Sequence, residues 1–112
     1  MKKKNVILIS SNYFFIQNFK RYFGNLKEFN PLIINEKSFL NSKNISTRIK
    51  KLNPYLVILK VGLSGGISYN IKNSYNIINY NSKLFTKIFE TLVSINQKNV
   101  FFISASCLYP KI

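Results

Sequence analysis

The stretch that decides the fold is the last one, Asn99-Val100-Phe101-Phe102-Ile103-Ser104-Ala105-Ser106-Cys107-Leu108-Tyr109-Pro110-Lys111-Ile112. Within it, an apolar run over residues 100–103 changes abruptly to small polar residues. A short apolar run with polar ends predicts a strand buried on both faces of a parallel sheet. In open α/β sheets, ligands bind just beyond the carboxyl ends of such strands. We therefore expect residues 104–111 to lie where a ligand would bind.

Upstream of this stretch, the chain alternates between patterns typical of strands and patterns typical of helices. Apolar runs that predict strands lie at residues 6–9, 31–34 and 55–59. Apolar residues at helical spacing lie between them, at residues 15–23, 45–52 and 70–96. This alternation predicts an α/β fold with parallel strands and crossover helices. We expect a partial Rossmann-like (doubly wound) sheet of about four strands in the order 3-2-1-4, with the last strand at an unprotected edge.

The charge of the chain is strongly positive. Seventeen Lys and Arg residues oppose three acids, which gives a formal net charge of +14 over 112 residues. A nucleic acid, an anionic membrane or an anionic ligand would suit such a surface. A second interpretation is compositional drift, because the chain is also rich in Asn, Ile, Phe and Tyr, the residues that AT-rich coding sequences favour. The cations are spread along the whole chain, which favours drift over a clustered binding site.

The residues that the chain lacks exclude several kinds of chemistry. It has no His, no Asp and one Cys, and its acids are Glu28, Glu36 and Glu90. An ordinary zinc, calcium or two-metal site cannot be assembled from this set, and neither can a Ser-His-Asp triad. The single Cys cannot form an internal disulfide, which fits a reducing compartment.

Nothing in the sequence predicts a targeting or membrane segment. Residues 1–4 and the apolar run 6–9 faintly resemble a signal peptide, but the run is too short and polar residues interrupt it. No stretch approaches the ~20 apolar residues of a membrane span. We therefore expect a cytoplasmic protein without a membrane partner.

Three groups of residues carry a resemblance to a known family. They are Gly65-Gly66-Ile67 after the third strand, Asn81 in the following helix, and Ser106-Cys107-Leu108-Tyr109-Pro110-Lys111 after the fourth strand. Together they resemble the GDP-L-fucose synthase family, a branch of the extended short-chain dehydrogenase/reductases (NAD-dependent epimerase/dehydratases). The resemblance implies an NADP-dependent epimerisation and hydride reduction of a GDP-4-keto-6-deoxy sugar. It extends over essentially the whole chain but covers only the N-terminal part of the family's enzymes.

The resemblance implies a cofactor site at the first turn, but the chain departs from the family there. Ser10, Ser11 and Asn12 are the candidate cofactor-binding residues of this turn. The family has three glycines, which allow backbone N–H groups to reach the pyrophosphate. Here their positions hold Ser10, Tyr13 and Ile16. The two large side chains are expected to weaken the binding of NADP.

The resemblance also assigns roles after the last strand. Ser104 and Ser106 are candidate cofactor-binding residues, and Cys107 matches a family cysteine implicated as an acid/base in epimerisation. A small buried hydrophobic residue is the other interpretation of a lone Cys. The family's catalytic Ser corresponds to Ala105. Its Tyr-x-x-x-Lys pair and its sugar-binding second domain have no counterpart within residues 1–112.

These departures lead to one prediction and two alternatives. We predict that residues 1–112 form a truncated NAD(P)-binding Rossmann-like domain, degenerate and inactive as a single chain. One alternative is half of a split epimerase/reductase, completed by a second polypeptide. The other is a non-enzymatic basic module that binds nucleic acid or an acidic partner. A homodimer or a complementing chain would contact the helix predicted at residues 70–96.

Overall fold

The computed structural model describes residues 2–62 and 74–103. In chain order the elements are β1 (Lys4–Ser10), α1 (Tyr13–Gly24), β2 (Phe29–Ile34), α2 (Lys37–Asn41), α3 (Ile45–Leu52), β3 (Leu56–Lys60), α4 (Ser74–Ser94) and β4 (Val100–Phe102). Every strand pairs in parallel with its neighbours. The predicted α/β class, the parallel sheet and the crossover helices are therefore confirmed, and the fold is Rossmann-like.

The predicted strand order is wrong. The sheet runs β2-β1-β3-β4, so β3 pairs with β1 and does not lie beyond β2. The connection from β2 to β3 carries α2 and α3, which contribute to the core on the face opposite α1. Right-handed crossovers with helices on opposite faces run in opposite directions across the sheet. The chain therefore crosses back over β1 and adds β3 to the free edge of β1.

The first strand is the centre of the sheet and is buried on both faces. Val6 and Leu8 join Phe19 of α1 in the core of one face. Ile7 and Ile9 belong to the core of the other face, whose helical members are Phe39, Ile45, Ile49, Leu84, Ile88 and Leu92. Successive side chains of a strand point to opposite faces. A continuous apolar run is therefore what a strand covered on both sides requires.

The last strand lies at the edge of the sheet, as expected, but it is not buried on both faces. Val100, Phe101 and Phe102 are 37%, 60% and 41% exposed. Phe102 meets Phe85 of α4 edge-on, with the ring centroids 5.8 Å apart. Within the described part of the chain, β3 is the only strand that pairs with β4. An apolar run predicts a strand, but its burial depends on what neighbours the strand.

The long helix is shorter than predicted over the described residues. Helix α4 is Ser74–Ser94, and Asn96 follows in a left-handed conformation with φ of 57°. Residues 70–73 of the predicted helix lie outside the described residues. The buried side chains of α4 are Leu84, Ile88, Thr91 and Leu92. In the segments that the structure describes, no helix has the length and apolar character needed to cross a bilayer.

Candidate functional site

The carboxyl ends of three strands meet at one edge of the sheet. Ser10 ends β1, Glu36 follows β2 by two residues, and Gly62 follows β3 by two residues. This is the edge at which open α/β sheets bind ligands, because the chain leaves the neighbouring strands β1 and β3 towards opposite faces of the sheet. Glu36 lies at its centre and is only 1% exposed.

Both carboxylate oxygens of Glu36 accept hydrogen bonds from other elements. Oε1 accepts from the backbone N–H and the hydroxyl of Ser11, at 3.1 and 2.8 Å. Oε2 accepts from the backbone N–H of Gly62 at 3.3 Å and from the hydroxyl of Tyr80 at 2.7 Å. Buried carboxylates are costly unless they are hydrogen-bonded. Through these four neutral donors, Glu36 links the ends of β1 and β3 to α4.

The Tyr80 phenol is a fixed donor at this site. Burial raises its pKa well above the ordinary value, and the hydrogen bond to Glu36 and the negative charge of Glu36 raise the pKa further. The phenol is therefore protonated at neutral pH and keeps donating to the carboxylate. A phenol with such a pKa is a poor proton donor for catalysis.

Position 62 requires a glycine, both because of its backbone conformation and because the side chain of Asn81 lies close to it. Its φ of +106° is a conformation that side chains disfavour. A Cβ at this position would also lie 3.1 Å from Oδ1 of Asn81. The structure therefore places the side-chain amide of Asn81 on α4 against the turn at Gly62.

The structure brings together the three predicted residues of the first turn. Ser10 is fully buried, and its hydroxyl accepts a hydrogen bond from the Asn12 N–H at 3.0 Å. Asn12 caps α1, as its Oδ1 accepts from the Phe15 N–H at 3.1 Å. Ser11 donates its N–H and its hydroxyl to Glu36. Each of the three thus makes a hydrogen bond within the protein.

The residues of the turn do not fit a dinucleotide held as in the family. A pyrophosphate there would accept hydrogen bonds from N–H groups at the start of α1. The N–H groups of Ser11, Asn12 and Phe15 already donate to Glu36, Ser10 and Asn12. Among the described residues, no buried side-chain nitrogen or oxygen lacks a hydrogen-bond partner. These three N–H groups are thus already engaged within the protein.

The remaining predicted site residues lie outside the described residues. These are Ser104, Ala105, Ser106 and Cys107, together with residues 65–67 of the glycine loop. Their roles stay predictions. Glu36 was not among the predicted site residues. Two features of the sequence could have indicated Glu36. It is one of only three acids in the chain, and it follows closely after a predicted strand.

The fold and this strand-end arrangement define a Rossmann-like domain, and a solved structure supports the class. The chain aligns with the solved structure of DdhaC with a TM-score of 0.77, and the alignment covers 99% of this chain and 33% of that one. The two sequences are 20% identical, so this likeness concerns the fold.

One curated protein is similar to this chain in sequence. GDP-L-colitose synthase of Yersinia pseudotuberculosis is 29% identical over 76 residues, which cover 68% of this chain and 25% of that protein. No protein-family model matches the sequence. The chain thus spans about a quarter of the curated relative and is similar, over that part, to a nucleotide-sugar enzyme.

Proposed function

We propose that this chain is a Rossmann-like domain of nucleotide-sugar epimerase/reductase ancestry that neither binds NADP in the family's manner nor transfers hydride by itself. The similarity to GDP-L-colitose synthase supports the ancestry. One observation supports the loss of cofactor binding. The buried carboxylate of Glu36 accepts the Ser11 N–H at the turn where the family holds the pyrophosphate.

The negative charge of Glu36 would repel a pyrophosphate bound at this turn. A phosphate oxygen placed about 4 Å from a carboxylate is repelled by about 4 kcal/mol at an effective dielectric constant of 20. A typical hydrogen bond from a backbone N–H to a phosphate contributes about 1.5–3 kcal/mol. The repulsion therefore offsets one or two of the hydrogen bonds on which a family-type site depends. The donors engaged by Glu36 are lost to the ligand in addition.

The experiment is a titration of the purified chain with NADPH, followed by fluorescence, and an assay for oxidation of NADPH with a GDP-4-keto-6-deoxy sugar. We expect neither saturable binding nor hydride transfer. Micromolar binding together with hydride transfer would overturn the proposal. Glu36→Gln removes the charge and keeps the shape, and Glu90→Gln on the exposed surface of α4 is its matched control. Any gain in NADPH affinity is expected for Glu36→Gln alone.

A second candidate is half of a split enzyme. The edge strand β4 supports it, because the apolar side chains of Phe101 and Phe102 are exposed where a further parallel strand could pair. The relatives that the chain matches are about three times its length, as the covered shares of 33% and 25% indicate. A complementing chain would carry the Tyr-x-x-x-Lys pair and the sugar-binding domain.

Co-expression tests this second candidate. The polypeptide encoded by the neighbouring reading frame is produced together with this chain, and the pair is purified through a tag on one of them. A complex of equal stoichiometry that oxidises NADPH would support the split enzyme. Failure of a frame with the required motif to form this complex, or the absence of such a frame, would exclude it.

A further inference from the structure

The opposite edge of the sheet carries a basic cleft. It has a volume of about 660 Å³ and lies at the amino ends of β1, β3 and β4. Five lysines line it: Lys2, Lys3, Lys4, Lys51 and Lys98. In the part of the chain that the structure describes, no acidic residue lines the cleft. It is therefore separate from the Glu36 site, which lies at the carboxyl ends of the strands.

The fold concentrates cations that are distant in the sequence. Residues 2–4, Lys51 and Lys98 come from three separate segments, and they make up five of the 14 residues that line the cleft. In the whole chain, 17 of 112 residues are cationic. Compositional drift places lysines along the chain without regard to where they meet in space. The lysines that are spread along the sequence therefore form a cluster in the folded chain.

The walls of the cleft are held together by side-chain amides. Asn5 donates to the carbonyl of Leu52 at 2.6 Å, which joins β1 to the end of α3. Gln97 donates to the carbonyl of Pro54 at 3.2 Å, and Asn99 donates to the carbonyl of Tyr55 at 3.0 Å. These bonds join the three segments, so the lysines extend from a fixed frame.

One aromatic ring lies beside an ammonium group of the cleft. Tyr55 is 45% exposed, and the Nζ of Lys4 lies 4.5 Å from the centre of its ring. Lysines act as point charges, without the paired donors with which Arg recognises planar groups. Such a set binds the sugar–phosphate backbone without reading sequence. An exposed ring beside it is typical of surfaces on which single-stranded bases stack.

We propose that this cleft binds a chain of phosphate groups, the backbone of a single-stranded nucleic acid. Several lysines spread over an open cleft match several phosphates in succession better than one compact anion. The site goes beyond the proposed function and does not depend on it, because the ligand would contact neither Glu36 nor the first turn. Inorganic polyphosphate offers the same chemistry without bases, and the experiment distinguishes the two.

The test is fluorescence anisotropy of a labelled single-stranded oligonucleotide over a range of salt concentrations. Four phosphate contacts predict a slope of about −2.8 in log K against log salt, which is about a 50-fold loss of affinity between roughly 50 and 200 mM salt. Lys51→Gln combined with Lys98→Gln is expected to weaken binding at least about tenfold at low salt and to reduce the slope by about 1.4. Circular dichroism checks that the variant is folded.

The matched control combines Lys20→Gln with Lys43→Gln, two exposed lysines outside the cleft that give the same change in net charge. It is expected to change the affinity less than about twofold. Equal losses in both variants, or no binding of any phosphate chain at low salt, would overturn the proposal. Polyphosphate that competes with the oligonucleotide supports the shared chemistry. Binding of polyphosphate alone would assign the cleft to the inorganic polymer.

Discussion

Tyr80 of α4 donates a 2.7 Å hydrogen bond to Glu36 across 44 residues of sequence. Tyr80→Phe removes this donor and leaves Oε2 of a buried carboxylate with the Gly62 N–H. Hydrogen bonds to charged groups contribute about 1.5–3 kcal/mol, and we expect a loss of that size in the free energy of unfolding. Denaturation by urea measures it.

Tyr75→Phe is the control for this change, because Tyr75 lies on the same helix and is 77% exposed. Its effect is expected to stay within about 0.5 kcal/mol. Equal effects of the two substitutions would mean that the hydrogen bond to Glu36 contributes nothing to stability.

The same phenol makes stability depend on pH in the alkaline range. Burial, the hydrogen bond to Glu36 and its charge raise the pKa of Tyr80 in the folded chain above the value of 10.0 for a free phenol. Above pH 10 the unfolded chain therefore loses a proton that the folded chain keeps. The stabilisation by Tyr80 is complete below that pH and declines as the pH rises. Urea unfolding measured from pH 8 to 11 should give a free energy of unfolding that falls more steeply with pH for the wild type than for Tyr80→Phe.

Two glycines should respond to alanine with opposite signs. Gly62→Ala places a Cβ against Asn81 in a left-handed conformation, and we expect a loss of about 1–3 kcal/mol. Gly24→Ala, at the end of α1, meets nothing within 4 Å and should stabilise the protein by about 0.4–1 kcal/mol. Thermal unfolding followed by circular dichroism measures both. A neutral Gly62→Ala would contradict the steric argument.

The cap of α1 offers a local test of the first turn. Asn12→Ala removes the acceptor for the Phe15 N–H and should lower stability by about 1 kcal/mol. Asn12→Asp keeps an oxygen at this place and adds a charge that favours the helix N-terminus, so stability should be retained. Urea unfolding of the two variants distinguishes them. Equal losses would indicate that the cap contributes little.

The exposed surface of α4 bears on the partner prediction. Val93 is 78% and Ile78 65% exposed on this helix. If a homodimer forms through α4, Val93→Glu should convert it to a monomer, as measured by light scattering after size exclusion. Gln17→Glu adds the same charge on α1 and should leave the dimer intact. A wild type that is monomeric at all concentrations would contradict the homodimer.

The apolar patterns predicted much of the fold because they reflect burial directly. The run at Val6–Ile9 is continuous because β1 is covered on both faces. The strand order could not be predicted from these patterns. It depends on which face of the sheet α3 covers, and no local pattern indicates that face. The exposure of Phe101 depends on the position of β4 at the edge of the sheet and has no local signal.

The candidate site was predicted only in part. The turn residues Ser10 and Ser11 were placed correctly at the carboxyl end of a strand, where helix caps and ligand sites use the same residue types. The hydrogen bonds that Glu36 accepts come from Ser11, Gly62 and Tyr80, which are distant from one another in the sequence. Such a site appears only when the chain is folded. The same is true of the lysines that line the basic cleft.

The central position of β1 has a consequence for synthesis. Its residues leave the ribosome before those of β2 and β3, yet Val6 pairs with Pro31 on one side and with Leu56 on the other. The strand therefore waits for some fifty residues of further translation before both of its edges are paired. During that interval an apolar segment without partners is available to chaperones and to other nascent chains. The pairing of β1 thus depends on strands that are synthesised after it.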